Sequence, residues 1–205
     1  MTDLRDVLDW LGRIDIYVLD QVMRGRLVPP MRVLDAGCGD GRNLLLFARA
    51  GFDVAATDAS PDAIAQVRSA AAAIGVSLAA DRLWVGPIEA LELPAASFDA
   101  VLCNAVLHFA RNRAHFDAMV AALFQVLTPG GVFFARLATT ITLEGRTTPL
   151  GEGRHRLPDG AERFLVAARD LHDLTERHQG ELLDPIKTTN VADQRAMTTW
   201  VVRKR

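Results

Sequence analysis

Cysteine is nearly missing from this 205-residue chain, with Cys38 and Cys103 the only two. Two cysteines so placed make neither a disulfide framework nor a metal site, and a cytoplasmic protein is the simple reading. No apolar run approaches the about 18 residues of a membrane-spanning helix. The opening Met1-Thr2-Asp3-Leu4-Arg5-Asp6 is charged, with no apolar signal core. Charge of one sign is not concentrated anywhere, and the net charge is −2. The C-terminal Arg203-Lys204-Arg205 is short and reads as a solvated end. The basic footprint of a nucleic-acid binder is therefore missing, which argues against DNA or bulk RNA but not against a small nucleotide. No internal repeat or linker divides the chain. Half the residues are hydrophobic and 23% charged, as expected of one globular domain spanning 1–205 with a full core.

What the chain does have is Val33-Leu34-Asp35-Ala36-Gly37-Cys38-Gly39-Asp40-Gly41. An apolar run ends in an acid, glycines follow at alternate positions, and a helical pattern starts at Arg42-Asn43-Leu44. Glycine lacks Cβ and accepts positive φ, so such a strand-turn-helix lets a ligand press against bare backbone. A dinucleotide turn has the spacing G-x-G-x-x-G. Here the third of those positions is Arg42, and the third glycine comes one residue early. S-adenosylmethionine instead offers a free ammonium, a carboxylate and a sulfonium, and Asp35 suits the ammonium directly or through water. Asp58 ends the next apolar segment, roughly 20 residues past the turn, where an acid accepts from ribose hydroxyls. Asp58 fits either ligand; Asp35 and the glycine spacing favour the second.

The D-A-G-C-G-D-G stretch resembles the glycine-rich motif of the class I S-adenosylmethionine-dependent methyltransferases. The likeness extends by motif over about 31–137, and is closest to the bacterial small-molecule group that includes tellurite-resistance-type enzymes.

Strand and helix alternate along the chain. Strands are expected at Arg32–Ala36, Val54–Thr57, Arg82–Val85, Ser97–Cys103 and Val132–Leu137. Helices are expected at Arg42–Ala50, Ser60–Ile74, Arg113–Leu127 and Val166–His178. The strand-like runs Glu181–Lys187 and Met197–Val202 suggest a closing hairpin. The fold class is α/β: a doubly wound, Rossmann-like, seven-stranded mixed sheet with helices on both faces and the last strands antiparallel. Residues 1–30 form an N-terminal helical segment, either a lid or a helix packed on the sheet edge; 31–137 form the core. The remainder, 138–205, holds an unpatterned loop (Thr139–Arg163) and the final strands.

The resemblance implies S-adenosyl-L-methionine as cofactor and methyl transfer to a small molecule as activity. It assigns Asp35, Gly37, Cys38 and Gly39 to the methionine end, Asp58 to the ribose, and Ala59 and Ile88 to the adenine. At Pro87 the family often has an aspartate, for which Glu89 is the candidate substitute. Asn104 would sit near the methyl end, and the sequence after it lacks the Pro-Pro-aromatic tetrad of DNA- and protein-modifying relatives. His108 is the candidate catalytic residue, with a backbone-bonded neutral histidine as the alternative. Tyr17, Arg154 and His155 are candidate acceptor contacts, and no metal is expected. The partner is a small molecule, with no nucleic acid or membrane, and the protein a monomer or homodimer. An NAD-dependent oxidoreductase and a non-catalytic S-adenosylmethionine-binding protein are the competing readings.

Overall fold

A computed structural model describes residues 3–205; Met1 and Thr2, the start of the expected N-terminal segment, lie outside the described residues. Strands β1 (Arg32–Ala36), β2 (Asp53–Asp58), β3 (Leu83–Val85), β4 (Phe98–Asn104) and β5 (Leu127–Ala138) form the parallel part of the main sheet. The hairpin of β10 (Lys187–Val191) and β11 (Arg195–Lys204) joins it, with β11 antiparallel to β5. The order is β10-β11-β5-β4-β1-β2-β3, and β9 (Gly180–Leu182) pairs with the far end of β11. The expected strand at Glu181–Lys187 is thus two short pieces on opposite halves of β11, and the hairpin proper begins at Lys187.

Alternation along the strands divides the apolar residues between two faces. On one face Val33, Leu102, Phe134 and Val201 pack with Phe47 of α3 (Leu44–Arg49), Ile64 and Val67 of α4 (Pro61–Ala73), and Val18 of α2 (Ile16–Met23). On the other, Leu34, Val101, Phe133 and Trp200 meet Phe116 and Leu123 of α5 (Arg113–Val126) and Leu171 and Leu174 of α6 (Ala168–Arg177). Helix α4 starts where its sequence says: Ser60 Oγ accepts from the Ala63 N–H and Pro61 follows the cap.

Two expectations need correction. The N-terminal helical segment is two helices, because Gly12 (φ 63°) closes α1 (Leu4–Leu11) before α2 begins. No residue of α1 is buried. The segment Thr139–Arg163 is not an unstructured loop: β6 (Thr148–Gly151), β7 (Arg154–Arg156) and β8 (Glu162–Phe164) form a separate antiparallel sheet. Strands of three or four residues are too short to show a period of two. Among the described residues no helix is long and apolar enough to cross a membrane.

Trp200 ties β11 to α6. It is fully buried, its Nε1–H donates to Thr175 Oγ1 at 2.9 Å, and Phe133 meets it edge-on with centroids 5.1 Å apart. Trp200→Ala is expected to lower stability by about 3–5 kcal/mol. Thr175→Val, which strands the indole N–H, should cost about 1–3 kcal/mol. Urea unfolding at neutral pH measures both.

Candidate functional site

The chain leaves β1 toward β2 on one side, while β4 lies on the other. The carboxyl ends of β1 and β4 therefore diverge, and a crevice opens between them. A cavity of about 590 Å³ fills it, bounded by the glycine turn, Asp58-Ala59, Gly86–Glu89, Asn104–Val106 and the start of α5. Its size suits a nucleotide-like ligand.

Two glycines make the turn possible. Gly37 (φ 76°) donates its N–H to Thr57 O at 2.7 Å, and a Cβ there would collide with the Val106 side chain. Gly39 (φ 55°) lines the cavity, and nothing lies within 4 Å of where its Cβ would be. Asp58 braces the turn from β2. Its Oδ2 accepts from the Gly39 N–H and its Oδ1 from the Ser60 N–H, each at 2.9 Å, and each oxygen keeps further acceptor capacity.

Beneath the turn, Asp35 is 1% exposed and its Oδ2 has no hydrogen-bond partner. Burial, opposed by the charge of Arg42, pushes its acid up to about 7. Asn104 lines the cavity with both amide atoms buried and unpartnered. The next residue, Ala105, is held at φ 65°, with its N–H donating to Arg136 O at 2.7 Å. Strained backbone of this kind is what turns the chain out of β4 at the cavity wall.

The link between α1 and α2 closes on the same turn. Arg13 reaches Asp40 at 2.6 Å, and the Asp15 N–H donates to Asn43 Oδ1 at 2.9 Å. Asp15 Oδ2 accepts from both Arg42 and Arg136 at 3.2 Å.

Of the expected cofactor residues, Gly37, Cys38, Gly39, Asp58, Ala59, Ile88, Glu89 and Asn104 all line the cavity; Asp35, buried two residues before Gly37, does not. Glu89 Oε1 stands 2.8 Å from His115 Nε2, outside hydrogen-bond alignment, while His115 Nδ1 accepts from the Arg111 N–H. Cys38 and Cys103 have thiols pushed well above their usual range, chiefly by burial, so neither is a nucleophile at neutral pH.

The remaining candidates do not line the cavity. His108 is buried, and its Nδ1 accepts from the Ala138 N–H at 3.1 Å, which places the ring proton on Nε2. Burial and then the charge of Arg163 push it down to about 4. Tyr17 lies between the Arg136 guanidinium and Lys187, its hydroxyl 2.6 Å from Thr189 Oγ1, in a smaller cavity between α2 and β10. Arg154 pairs with Glu162 at 3.3 Å across the small sheet, and His155 Nδ1 lies 3.0 Å from Thr147 Oγ1, just before β6. In their place the cavity wall has Val106, Phe109, Arg111, His115 and Met119. Their apolar members read as core by spacing; only the 59% exposure of Phe109 marks it out. Among the described residues no group of three or more His, Cys, Asp or Glu is arranged to hold a metal ion.

Residues 33–131 match the protein family described as Methyltransferase domain. A ubiquinone biosynthesis O-methyltransferase of Methylocella silvestris is 36% identical over 64% of this chain and 49% of its own length. A probable S-adenosylmethionine-dependent methyltransferase of Mycolicibacterium smegmatis is 34% identical over 78% of this chain and 65% of its own. The chain thus spans about half to two-thirds of these curated relatives. Among solved structures, a Burkholderia thailandensis 1,6-didemethyltoxoflavin-N1-methyltransferase holds 1,6-didemethyltoxoflavin and S-adenosylhomocysteine. It superposes with a TM-score of 0.69 at 21% identity, over 98% of this chain and 81% of that one.

Asp35 and His108 carry opposite pH dependence. Folded Asp35 holds its proton more tightly than the unfolded chain, so its contribution to stability is lost as pH rises from 3.8 to about 7. Folded His108 holds its proton less tightly, so its contribution is lost as pH falls from 6.5 to about 4. The two slopes oppose one another in the parent protein. Asp35→Asn should leave a stability that rises with pH across this window, and His108→Gln one that falls. The Asp35 effect is on the order of 4 kcal/mol. Urea unfolding from about pH 4 to about pH 8 resolves them; parallel profiles for both variants would contradict the assignment.

Proposed function

We propose that this chain, whose residues 33–131 match the Methyltransferase domain family, is a class I S-adenosylmethionine-dependent methyltransferase that methylates a small-molecule acceptor. The observation that carries the reading is the set of polar groups left open around one cavity. Asp58 has spare acceptors at the ribose distance from the turn, Gly39 presents bare backbone, and Asp35 and Asn104 hold buried atoms without partners. Buried polar groups are normally paired, so orphans grouped at a cavity mark where a ligand completes the structure. When bound, S-adenosylmethionine supplies an electrophilic methyl: the acceptor lone pair forms the new bond, the S–C pair returns to sulfur, and any acceptor proton leaves to solvent.

The chain's own part is to bind and orient. Asp58 takes the ribose hydroxyls, Gly37 and Gly39 let the methionine end approach the backbone, and Asp35 and Asn104 meet its charged groups. Ile88, in the wall after β3, takes the adenine edge with Ala59 and Glu89 beside it. Orientation of this kind is worth roughly 7–11 kcal/mol in favourable cases. His108 enters as a positioning residue. With Nδ1 occupied and the ring neutral, it holds the end of β5 through Ala138 rather than accepting a proton. The α1–α2 link, clamped by Asp15 to Arg42 and Arg136, is the cover of the methionine end. A cytoplasmic location and a small-molecule rather than nucleic-acid acceptor belong to the same reading; two free buried cysteines and a near-balanced charge favour them.

Isothermal titration with S-adenosylhomocysteine, with NAD in parallel, tests the reading. Micromolar binding of the former alone is expected. Asp58→Ala should weaken it about 10- to 100-fold, the loss of charge-assisted hydrogen bonds. Binding of NAD alone would transfer the site to the oxidoreductase reading. Wild-type affinity in Asp58→Ala would remove the ribose assignment.

A further inference from the structure

Resting on the methyl-transfer reading, we propose that the outer end of the cavity takes an aromatic anion as acceptor: a planar ring carrying a carboxylate or phosphate. Three observations converge there. Phe109, on the 3-10 turn Leu107–Phe109 after β4, is 59% exposed although it lines the cavity, with Val106 and Met119 on the same wall. An aromatic side chain left so open beside a cavity offers an apolar surface for a flat body to stack on.

Arg163 of β8 lies over the same ring, its guanidinium carbon 4.8 Å from the centroid. Its Nη1 donates to Glu162 O at 2.7 Å, and among the described residues Arg163 makes no ion pair and no other side-chain hydrogen bond. The remaining donors of the fork are open, in a plane suited to carboxylate or phosphate oxygens.

Arg111 also lines the cavity, between Phe109 and the Glu89 wall, with its side chain 71% exposed. Its nearest acid, Glu89, is 3.6 Å away and already stands 2.8 Å from His115. Among the described residues Arg163 is therefore left without a carboxylate and Arg111 has only a partly committed one, so positive charge is in excess beside the aromatic face. A neutral ring would leave the Arg163 fork empty, and an aliphatic anion would forgo the stacking.

The test titrates the protein, free and loaded with S-adenosylhomocysteine, with benzoate, phenyl phosphate, benzamide and cyclohexanecarboxylate, followed by ligand-detected NMR. Benzoate or phenyl phosphate is expected to bind about tenfold more tightly than benzamide. The tighter of the two identifies the anionic group. Arg163→Gln should bring that advantage to about twofold or less while leaving S-adenosylhomocysteine affinity within about twofold of the parent. Phe109→Leu should narrow the advantage of benzoate over cyclohexanecarboxylate. Equal binding of benzoate, phenyl phosphate and benzamide, or an undiminished advantage in Arg163→Gln, would overturn the proposal. Failure of S-adenosylhomocysteine to bind would instead overturn the cofactor reading. The free-protein titrations keep the two failures distinct.

Discussion

The width of the crevice is set by one contact, the Gly37 backbone against the Val106 side chain. β1 and β4 are hydrogen-bonded neighbours, so the segments leaving their carboxyl ends would crowd one another unless one of them carried no side chain. Gly37 supplies that absence, and the bond from its N–H to Thr57 O turns the chain back across β2. Ala105, at positive φ, turns the other segment away. Asp58 then holds the turn through the Gly39 N–H. Every wall of the cavity descends from that divergence.

The buried polar layer of the site opposes folding. A buried polar atom without a partner costs about 1–3 kcal/mol, and Asp35 Oδ2, both amide atoms of Asn104 and Arg136 Nε stand in that state. Asp35, Asn104 and Arg136 share one face of adjacent strands near their carboxyl ends, Asn104 and Arg136 in direct register. Net folding stabilities are only about 5–15 kcal/mol, so the apolar clusters on both faces must offset this layer. A ligand that satisfies it returns the cost as affinity, and binding therefore stabilises the fold.

The parallel core was readable because its signals are local. Asp35, the glycines and Asp58 sit at fixed offsets on strand ends, and a strand end in a parallel sheet is already an address. Helix α4 was readable from Ser60-Pro61, and the closing hairpin from two apolar runs, although its boundary moved to Lys187. The small sheet was not, because three-residue strands leave no periodicity. Arg154 and His155 lie on β7, whereas the strand that contacts the turn at Leu107–Phe109 is β8. In antiparallel pairing, which strand of β6-β7-β8 borders the cleft is decided by long-range contact with the turn at Leu107–Phe109. Phe109 itself reads as core from its apolar neighbours. Tyr17 packs beside Arg136 and Thr189 toward β10, which agrees with the edge-packed alternative for the N-terminal segment.

The charges of the cleft are sorted by depth, and this order favours one division of labour. Acids gather at the glycine turn: Asp35 below it, Asp40 and Asp58 on its walls. Arg42, the cation among them, is committed to Asp15. Arg163, without an ion pair among the described residues, lies over the Phe109 ring, and Arg111, 3.6 Å from Glu89, lines the cavity away from the glycine turn. S-adenosylmethionine carries a net positive charge, with its ammonium and sulfonium outweighing its carboxylate, and so suits the acidic end. An acceptor approaching from the basic end meets arginine first and the sulfonium after it. At short range in a partly desolvated cleft such charges interact strongly, so a negative acceptor is drawn along the same axis as the methyl it attacks. Reversing the occupants would set cation against cation at the basic end and anion against carboxylate at the acidic end.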